Sequence, residues 1–535
     1  MSINKFFGIC SVLFTLSGCV STPDGKWRVE YDNADAGTPA QMQYGTAVDI
    51  ISASDNMTPT AARHMAVLLP LSGNGASAGR AIRTSIEMAV LQRAPQNLAV
   101  TFYDSAADGG AEITRALQTM PDIIIGPLFA GDARAVRTAK PEQMPVLSFT
   151  SDATAVGNGV MTMALMPTNS VEAIVKEMQS DHVRQFIIFA PDTQSGRLMA
   201  GTARAAAAIY DIQVSGVFFY TEKDADSIKN TTSAATMNTA RVAANNRARE
   251  ILSDILTNER LTAIEKSNLT RQLDRLSKND TLGPVPYDAV LFLGSGDDTK
   301  SLASFMRYYG VGARDARFYG TAVWDGSDIA SDFTMSGAKF ATLPEINAEF
   351  ANLYDQIAGG TPSRLATFGY DAANMAIGML NSDKSNAAYL LNPSGYMGMD
   401  GLIRLRPTGD NERAMRIVEL NGSGTPRDIK PAATNFMTPL YNIEQRHITP
   451  ARAMALETPG INPMNYIQIP ERLRSKYRSK TYGANATTTP DASPRPTVIS
   501  ILPEDDSDII TDPDFQPVSL ESISKTYIDS IEIEE

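Results

Sequence analysis

Apolar runs alternate with small-residue turns and helix-like stretches between residues 62 and 150. Four of these runs predict strands, at Met65–Leu69, Leu98–Tyr103, Ile123–Ile125 and Val146–Phe149. Repetition of strand, turn and helix is typical of a parallel α/β sheet. Because such sheets bind ligands at the carboxyl ends of their strands, the pattern favours an architecture that binds a small molecule.

The same alternation continues to about residue 420 and predicts a second sheet, with strands at Gln185–Ala190, Gln213–Tyr220 and Ala289–Leu293. Residues 221–280 interrupt it with a segment in which charges of both signs follow helical spacing. We interpret this segment as an inserted helical pair, either a purely structural insertion or an arm that binds a partner. The apolar runs Gly401–Arg406 and Met415–Leu420 predict a final hairpin.

The first eighteen residues have the pattern of an export signal. Lys5 precedes an apolar run, Phe6–Leu16, which is too short to span a membrane. Leu16–Cys19 resembles the lipobox of bacterial lipoproteins, and this resemblance implies cleavage before Cys19 and lipidation of its thiol. An uncleaved anchor or an ordinary signal peptide is the alternative. Since Cys10 lies inside the signal, the mature chain would have no partner for a disulfide.

The segments at both ends of the folded region are polar. Residues 19–61 predict a flexible linker from a lipid anchor, and Val20 after the cysteine favours the inner face of the outer membrane by the lipoprotein sorting rule. Residues 421–535 predict an extended, largely disordered acidic tail. Between Glu504 and Glu535 there are eleven carboxylates and a single basic residue, Lys525, and such a composition does not support a packed core.

Charge and composition argue against several functions. The 60 acidic and 47 basic residues give a net charge of −13, which disfavours nucleic acid as a partner. The three histidines, His64, His182 and His447, are too far apart in sequence to suggest a metal site or a catalytic triad. The sequence therefore predicts no catalytic residue, no metal and no cofactor, and a protein that is not an enzyme.

One glycine pattern resembles a dinucleotide-binding fingerprint. Gly73, Gly75 and Gly79 lie between a predicted strand and helix, and Asp104 ends the next strand, but the third glycine is one position late. We favour the interpretation that these glycines allow a tight turn and leave backbone N–H groups open at a helix N-terminus. An anionic or polar ligand group could be held there.

Four motifs together resemble the type I periplasmic binding proteins of the leucine-binding-like family: Val67–Gly73, Ile124–Leu128, Pro145–Phe149 and Ala190–Asp192. Their order and spacing match over residues 62–420. Within that family the chain most resembles the lipoproteins called penicillin-binding-protein activators. This resemblance rests on the helical insertion and on three further motifs, at Tyr308–Gly310, Gly320–Trp324 and Phe368–Ala372.

The resemblance implies a two-lobed α/β fold, in which each lobe is a doubly wound domain built on a parallel sheet. Lobe one would span residues 62–167 and be completed by about 325–390. Lobe two would span 168–324, carry the insertion, and be completed by about 391–420. A small polar ligand would bind in the cleft, whose walls would be Ser72, Gly73, Asn74, Gly75, Leu128, Phe129, Ala130, Phe149, Thr150, Ser151, Asp152, Asp192, Ser195 and Trp324.

Two positions depart from the amino-acid receptors of the family. Asp152 occupies the position of a ligand-binding hydroxyl, and a carboxylate there would repel the carboxylate of an amino acid by about 4 kcal/mol at 4 Å. Alternatively, Asp152 caps a turn. Ser195 stands where those receptors have an aromatic residue. The sequence thus leaves two functions open: a periplasmic regulator that binds a bifunctional penicillin-binding protein, or the receptor of an amino-acid transporter.

Overall fold

The computed structural model describes residues 63–93, 98–382, 386–436, 448–456 and 461–481, together with the backbone of residues 27–28 and 49–52. The predicted export signal and Cys19 lie outside the described residues, and so do residues 482–535. No helix within the described ranges is both long and apolar enough to cross a membrane.

The first lobe is built on a seven-stranded sheet whose order is β1-β2-β4-β3-β5-β6-β7. All neighbouring pairs are parallel except β1 with β2. The four strands predicted for this lobe are confirmed as β3 to β6. The elements are β1 (Trp27–Arg28), β2 (Asp49–Ser52), β3 (Arg63–Leu69), α1 (Ala76–Arg93), β4 (Leu98–Asp104), α2 (Ala111–Gln118), β5 (Ile123–Ile125), α3 (Ala130–Ala139), β6 (Val146–Ser148) and β7 (Val160–Thr162).

The second lobe contains the next set of elements and a second seven-stranded sheet. The elements are α4 (Pro167–Ser180), β8 (Gln185–Pro191), α5 (Gln194–Ile209), β9 (Gln213–Tyr220), α6 (Ala225–Ala235), α7 (Asn238–Asn258), α8 (Ala263–Ser277), β10 (Ala289–Phe292), α9 (Gly296–Tyr308), β11 (Arg317–Gly320) and β12 (Lys339–Thr342). Strands β8 to β12 are mutually parallel in the order β12-β11-β10-β8-β9. The predicted fold class, α/β with two parallel sheets, is confirmed.

The remaining elements are distributed over the two lobes. They are α10 (Ala348–Ala358), α11 (Arg364–Leu380), α12 (Asn386–Leu390), β13 (Tyr396–Gly398), β14 (Gly401–Leu405), β15 (Asn411–Arg413), β16 (Arg416–Glu419), β17 (Arg427–Lys430) and α13 (Glu471–Thr481). Strands β13, β14 and β15 form a separate antiparallel sheet, whereas β16 and β17 extend the second sheet along its β12 edge.

Strand β3 shows how the first sheet buries both of its faces. Alternate side chains of a strand point to opposite faces. Accordingly, Met65 and Val67 pack in one core with α1 and α11, while Ala66 and Leu68 pack in another with α2 and α3. A run that is apolar at every position is therefore required by a sheet covered on both sides, which explains why this strand could be recognised from sequence.

The structure moves the predicted lobe boundaries. The chain passes between the lobes at residues 163–166, 343–347 and 414–415. We call these segments the first, second and third crossings. Residues 325–342, predicted to be in lobe one, belong to lobe two because β12 pairs with β11. Conversely, β14 belongs to lobe one, because Ile403 and Leu405 are buried in the same core as α1 and α11. Strand β12 begins with Lys339 and ends with Thr342, so it lacks the continuous apolar run by which the shorter strand β5 was recognised.

The predicted final hairpin is wrong. β14 pairs with β13 and β15, whereas β16 pairs with β12 and β17. The short turn around Gly409 returns the chain at once to β15, so the second apolar run is free to cross to the other lobe. Gly409 has a φ of 89°, and the Cβ of any other residue would lie 2.3 Å from the backbone nitrogen of Gly157.

Both predicted unstructured regions contain ordered elements. Within the predicted linker, β2 pairs with β4 in parallel, which covers backbone groups that an edge strand would expose. Within the predicted acidic tail, β17 joins the second sheet, and Met454 bonds to Val217 through the backbone in both directions. The sequence missed these elements because each is short and surrounded by polar residues.

The helical insertion is larger than the predicted pair and includes a distant part of the chain. Helices α7 and α8 pack together, and α6 precedes them. Residues 461–481, predicted to be part of the disordered tail, lie along α7 and α8. The shared core contains Ile251, Leu252, Ile255, Leu269 and Leu276 from the insertion and Ile467, Ile469, Leu473 and Tyr477 from the C-terminal segment. We call α7, α8 and residues 461–481 the helical arm.

Helix α13 is fixed to the arm by polar contacts as well. The Tyr477 hydroxyl donates to Asp254 at 2.8 Å. Arg472 and Lys476 form ion pairs with Glu265 and Glu259.

We expect the C-terminal segment to be required for a stable arm. Leu473→Ala should cost about 2–5 kcal/mol of local stability, because it removes a buried side chain from the arm core. Amide hydrogen exchange of α7 and α8 would then accelerate while that of β3 to β6 stays unchanged. Ser475→Ala, at an exposed position of the same helix, is the control. Unchanged exchange in the Leu473 variant would contradict this role.

Asp371 is a buried carboxyl in α11, the helix that packs on α1. It accepts the Met399 N–H at 3.1 Å. Burial, and then the neighbouring Asp400 carboxylate, raise the pKa of Asp371 to about 8, against the opposing effect of the cations Arg413 and Arg93 and of the Met399 N–H. The folded protein therefore holds this proton at neutral pH.

The raised pKa predicts a defined pH dependence of stability. Between about pH 4 and pH 8 the folded state retains a proton that the unfolded state has lost, so the free energy of unfolding should fall as pH rises through this window. Asp371→Asn should remove this contribution. Its stability relative to wild type should rise by up to about 1.4 kcal/mol per pH unit in urea unfolding between pH 5 and pH 8. Asp355→Asn, at an exposed position, is the control, and a pH-independent difference for Asp371→Asn would contradict the prediction.

Candidate functional site

Three predicted site segments meet at one edge of the first sheet. They follow β3, β5 and β6, which are adjacent and parallel, so their carboxyl ends lie side by side. Backbone contacts tie them together, because the Phe149 N–H donates to the Pro127 carbonyl at 2.9 Å. The structure thus brings residues 72–75, 128–130 and 149–152 together, as the sequence predicts for a parallel sheet. We call these residues the first-lobe edge.

The turn after β3 is shaped by Asp104. Its carboxylate accepts the N–H groups of Leu71 at 2.8 Å and Ser72 at 3.3 Å. Burial raises the pKa of Asp104, but the hydrogen bonds from Ser72, Leu71 and Ala106 outweigh it and lower the pKa overall. Asp104 is therefore occupied in holding the turn, which does not match the role of a ribose-binding acid in a dinucleotide site.

Gly75 and Phe129 form the most apolar part of this edge. Gly75 has a φ of 87°, and an added Cβ would lie 2.6 Å from the Phe129 ring. Glycine at this position therefore lets the ring lie on the turn. The Phe129 side chain is 40% exposed, so it offers an aromatic surface for a ligand.

Asp152 caps the short helical turn of residues 153–155. Its carboxylate accepts the Thr154 N–H at 2.8 Å and pairs with the Arg134 guanidinium at 2.9 Å. Burial raises the pKa of Asp152, but the hydrogen bonds from Thr154 and Arg134 outweigh it and lower the pKa. The cap interpretation fits this geometry. The predicted repulsion of a ligand carboxylate omits Arg134, which balances the charge.

Three predicted wall residues have buried side chains. Phe149 and Thr150 are 3% and 4% exposed, and Phe149 packs in the first-lobe core. Trp324 is 1% exposed in the second-lobe core, where its indole N–H donates to Thr299 at 3.3 Å. These three side chains are buried in this structure, so their contact with a ligand stays a prediction.

The remaining predicted residues lie at the corresponding edge of the second sheet. Asp192 and Ser195 flank the start of α5, where the Thr193 hydroxyl accepts the Gly196 N–H at 3.0 Å. Asp192 forms an ion pair with Arg197, so its charge is also balanced. Among the described residues, no hydrogen bond or ion pair joins these positions to the first-lobe edge.

Two hydroxyls at the second-lobe edge were missed by the sequence analysis. Tyr220 ends β9 and Thr321 follows β11; both are almost completely buried, and neither hydroxyl has a hydrogen-bond partner among the described residues. The Tyr220 hydroxyl lies against Gly294, where an added Cβ would be 1.7 Å away. Buried hydroxyls without a partner are rare in proteins, so each of these two needs a partner such as a water molecule, an ion or a ligand. The signal in the sequence was a polar side chain at the end of each apolar run.

No group of three or more His, Cys, Asp or Glu residues in the described ranges is arranged to hold a metal ion.

The family is identified by comparison with known proteins. The family model described as periplasmic binding protein matches residues 64–425, which is more than half of the chain. The chain belongs to the periplasmic binding protein family. A comparison with curated proteins finds no match.

Several solved structures are similar to the chain at low identity. A candidate branched-chain amino acid ABC transporter protein from Rhodospirillum rubrum has 15% identity and a TM-score of 0.51, and the match covers 69% of this chain and all of that one. The C-domain of LpoA from Haemophilus influenzae, a regulator of PBP1A, has 16% identity and a TM-score of 0.47, with 68% and 99% covered. The leucine-binding protein LivK from Thermotoga maritima has 14% and 0.41, with 69% and 98% covered. Of these three, only the Rhodospirillum rubrum structure has a TM-score above 0.5, and that similarity shows the fold alone.

We expect Tyr220→Phe to stabilise this periplasmic binding protein in the absence of ligand. The substitution removes a buried hydroxyl without a partner and should raise the free energy of unfolding by about 1 kcal/mol in a urea titration. Tyr319→Phe is the matched control. The Tyr319 hydroxyl donates to Asp181 at 2.7 Å, so its removal should lower stability by about the same amount. Destabilisation by both substitutions would show that Tyr220 has a partner.

Proposed function

We propose that this protein is a non-catalytic periplasmic lipoprotein that regulates peptidoglycan synthesis by binding a bifunctional penicillin-binding protein. In this proposal Cys19 carries the lipid and places the protein at the inner face of the outer membrane. The binding-protein fold supports a periplasmic location and a function in recognition rather than catalysis.

The observation that carries the proposal is the helical arm. It has a hydrophobic core of its own, separate from the cores of the two sheets. A receptor that only captures a small ligand needs no such element, because the ligand binds at the edges of the sheets. The arm also offers an exposed apolar side chain, Ile264, close to the turn between α7 and α8. Contacts of this kind are frequent at protein–protein interfaces.

The second candidate is the receptor of an amino-acid transporter. It is favoured by the unpaired hydroxyls of Tyr220 and Thr321 at the second-lobe edge, and by the exposed ring of Phe129 at the first. In that function the two edges would close around a small polar ligand. Arg134, next to Asp152, would be the cation that faces the ligand carboxylate.

Point substitutions test the first function better than deletion of the arm does. Removing α7 and α8 would expose Leu473 and Tyr477, so loss of binding could reflect misfolding. Ile264→Asp changes a side chain that is 75% exposed and should leave the fold intact. We expect it to weaken binding of a purified bifunctional penicillin-binding protein at least tenfold. Ile357→Asp, on exposed α10 of lobe one, should bind like wild type.

Thermal unfolding with amino acids separates the two candidates. An amino acid at 100 times its dissociation constant would add about 2.7 kcal/mol to the free energy of unfolding. We expect no such stabilisation by leucine or related amino acids. A clear stabilisation that Tyr220→Phe abolishes, together with equal binding of the penicillin-binding protein by both isoleucine variants, would favour the receptor.

A further inference from the structure

The hinge between the lobes contains a buried ion pair. Arg413 in β15 and Asp400 in the turn between β13 and β14 are both fully buried, and their side chains are 3.0 Å apart. Arg413 also donates to the carbonyl of Met163 in the first crossing segment, and its guanidinium lies 4.4 Å from the ring centre of Phe368. This pair fixes the first and third crossings to lobe one.

Asparagine side chains strengthen the same junction. Asn411 donates to the carbonyls of Thr162 at 2.8 Å and Ala164 at 2.7 Å, and Asn169 in α4 donates to the Asn411 carbonyl at 2.9 Å. Four hydrogen bonds therefore join the first crossing and its flanking residues to β15, which leads directly into the third crossing.

Arg364 has a different environment. It begins α11 of lobe one and donates to the Pro344 carbonyl in the second crossing at 2.7 Å. Its guanidinium lies 3.9 Å from Asp400 of lobe one and 4.0 Å from Asp325 of lobe two. Asp325 in turn accepts the Thr342 hydroxyl, at the end of β12, at 2.7 Å. Arg364 is thus shared between one carboxylate of each lobe, at nearly equal distances.

We propose that Arg364 sets the angle between the lobes. It pairs with Asp325 of lobe two, and its hydrogen bond to the Pro344 carbonyl in the second crossing keeps its side chain in position. Asp400 is buried, its charge is balanced by Arg413, and it also accepts the Thr367 hydroxyl, so it holds Arg364 weakly. Asp325 is 38% exposed and moves with lobe two. Rotation of lobe two away from lobe one would lengthen the contact with Asp325 and leave Arg364 with Asp400 alone.

This inference concerns lobe orientation and is independent of the proposed partner. It gives positions 364 and 325 a positioning role, because they would determine how far the two edges stand apart. The contact is partly exposed, so salt should weaken it. The pair of Arg413 and Asp400 is buried and should be insensitive to salt.

The test measures the distance between the two edges in the full chain. Fluorophores on unnatural amino acids at positions 72 and 195, which are exposed in opposite lobes, report this distance by energy transfer without reaction at cysteine. Asp325→Asn keeps an oxygen for the Thr342 hydroxyl but removes the charge that attracts Arg364. We expect it to increase the mean distance and to broaden its distribution. Arg364→Met should do the same.

Asp288→Asn is the matched control, because Asp288 accepts a backbone N–H within lobe two alone. It should leave the distance unchanged. Raising NaCl from 0.1 to 1 M should move wild type toward the distance of Asp325→Asn and should not move the variant further. Equal distances in wild type, Asp325→Asn and Arg364→Met, or an equal effect of salt on all three, would overturn the proposal. A loss of secondary structure in Arg364→Met would leave Asp325→Asn as the deciding variant.

Discussion

The buried pair of Asp400 and Arg413 is the contact on which the two-lobed arrangement depends. The chain crosses between the lobes three times, and the first and third crossings are largely buried, so their backbone groups need partners within the protein. Arg413 supplies donors to both a carboxylate and a crossing carbonyl, so one side chain satisfies two buried acceptors. Removing either partner of a buried ion pair leaves the other charge uncompensated, which costs far more than the pair itself contributes.

Burial is the main reason why the pKa of Asp371 is raised, and this constraint adds a second reason. Two carboxyls, Asp371 and Asp400, lie near one fully buried guanidinium, and only one of them can be ionised at low cost. Asp400 has the direct contact with Arg413, so Asp371 keeps its proton. The same arrangement leaves Asp400 little attraction for a second arginine. Arg364 is therefore available to the carboxylate of the other lobe.

The parts of the fold that could be predicted are those whose sequence pattern reports burial on both faces. Residues 65–69 of β3 are apolar at every position because cores lie on both sides of them, and the helical insertion has a helical period that needs no tertiary information. The C-terminal segment of the arm could not be predicted in the same way. Leu473 and Tyr477 are two apolar residues among five basic ones, and their burial depends on the core that α7 and α8 provide.

In the candidate site, too, the features set by local sequence could be predicted, and those set by tertiary contacts could not. Small residues after β3, β5 and β6 could be placed at one edge, because parallel strands end together. The burial of Trp324 could not, since it depends on Phe292 and Phe340 packing against its ring. Likewise, Asp152 read alone is a repulsive charge, but with Arg134 at 2.9 Å it is half of a neutral pair. A side chain's chemistry follows from its neighbours, and at this edge the neighbours come from a different helix.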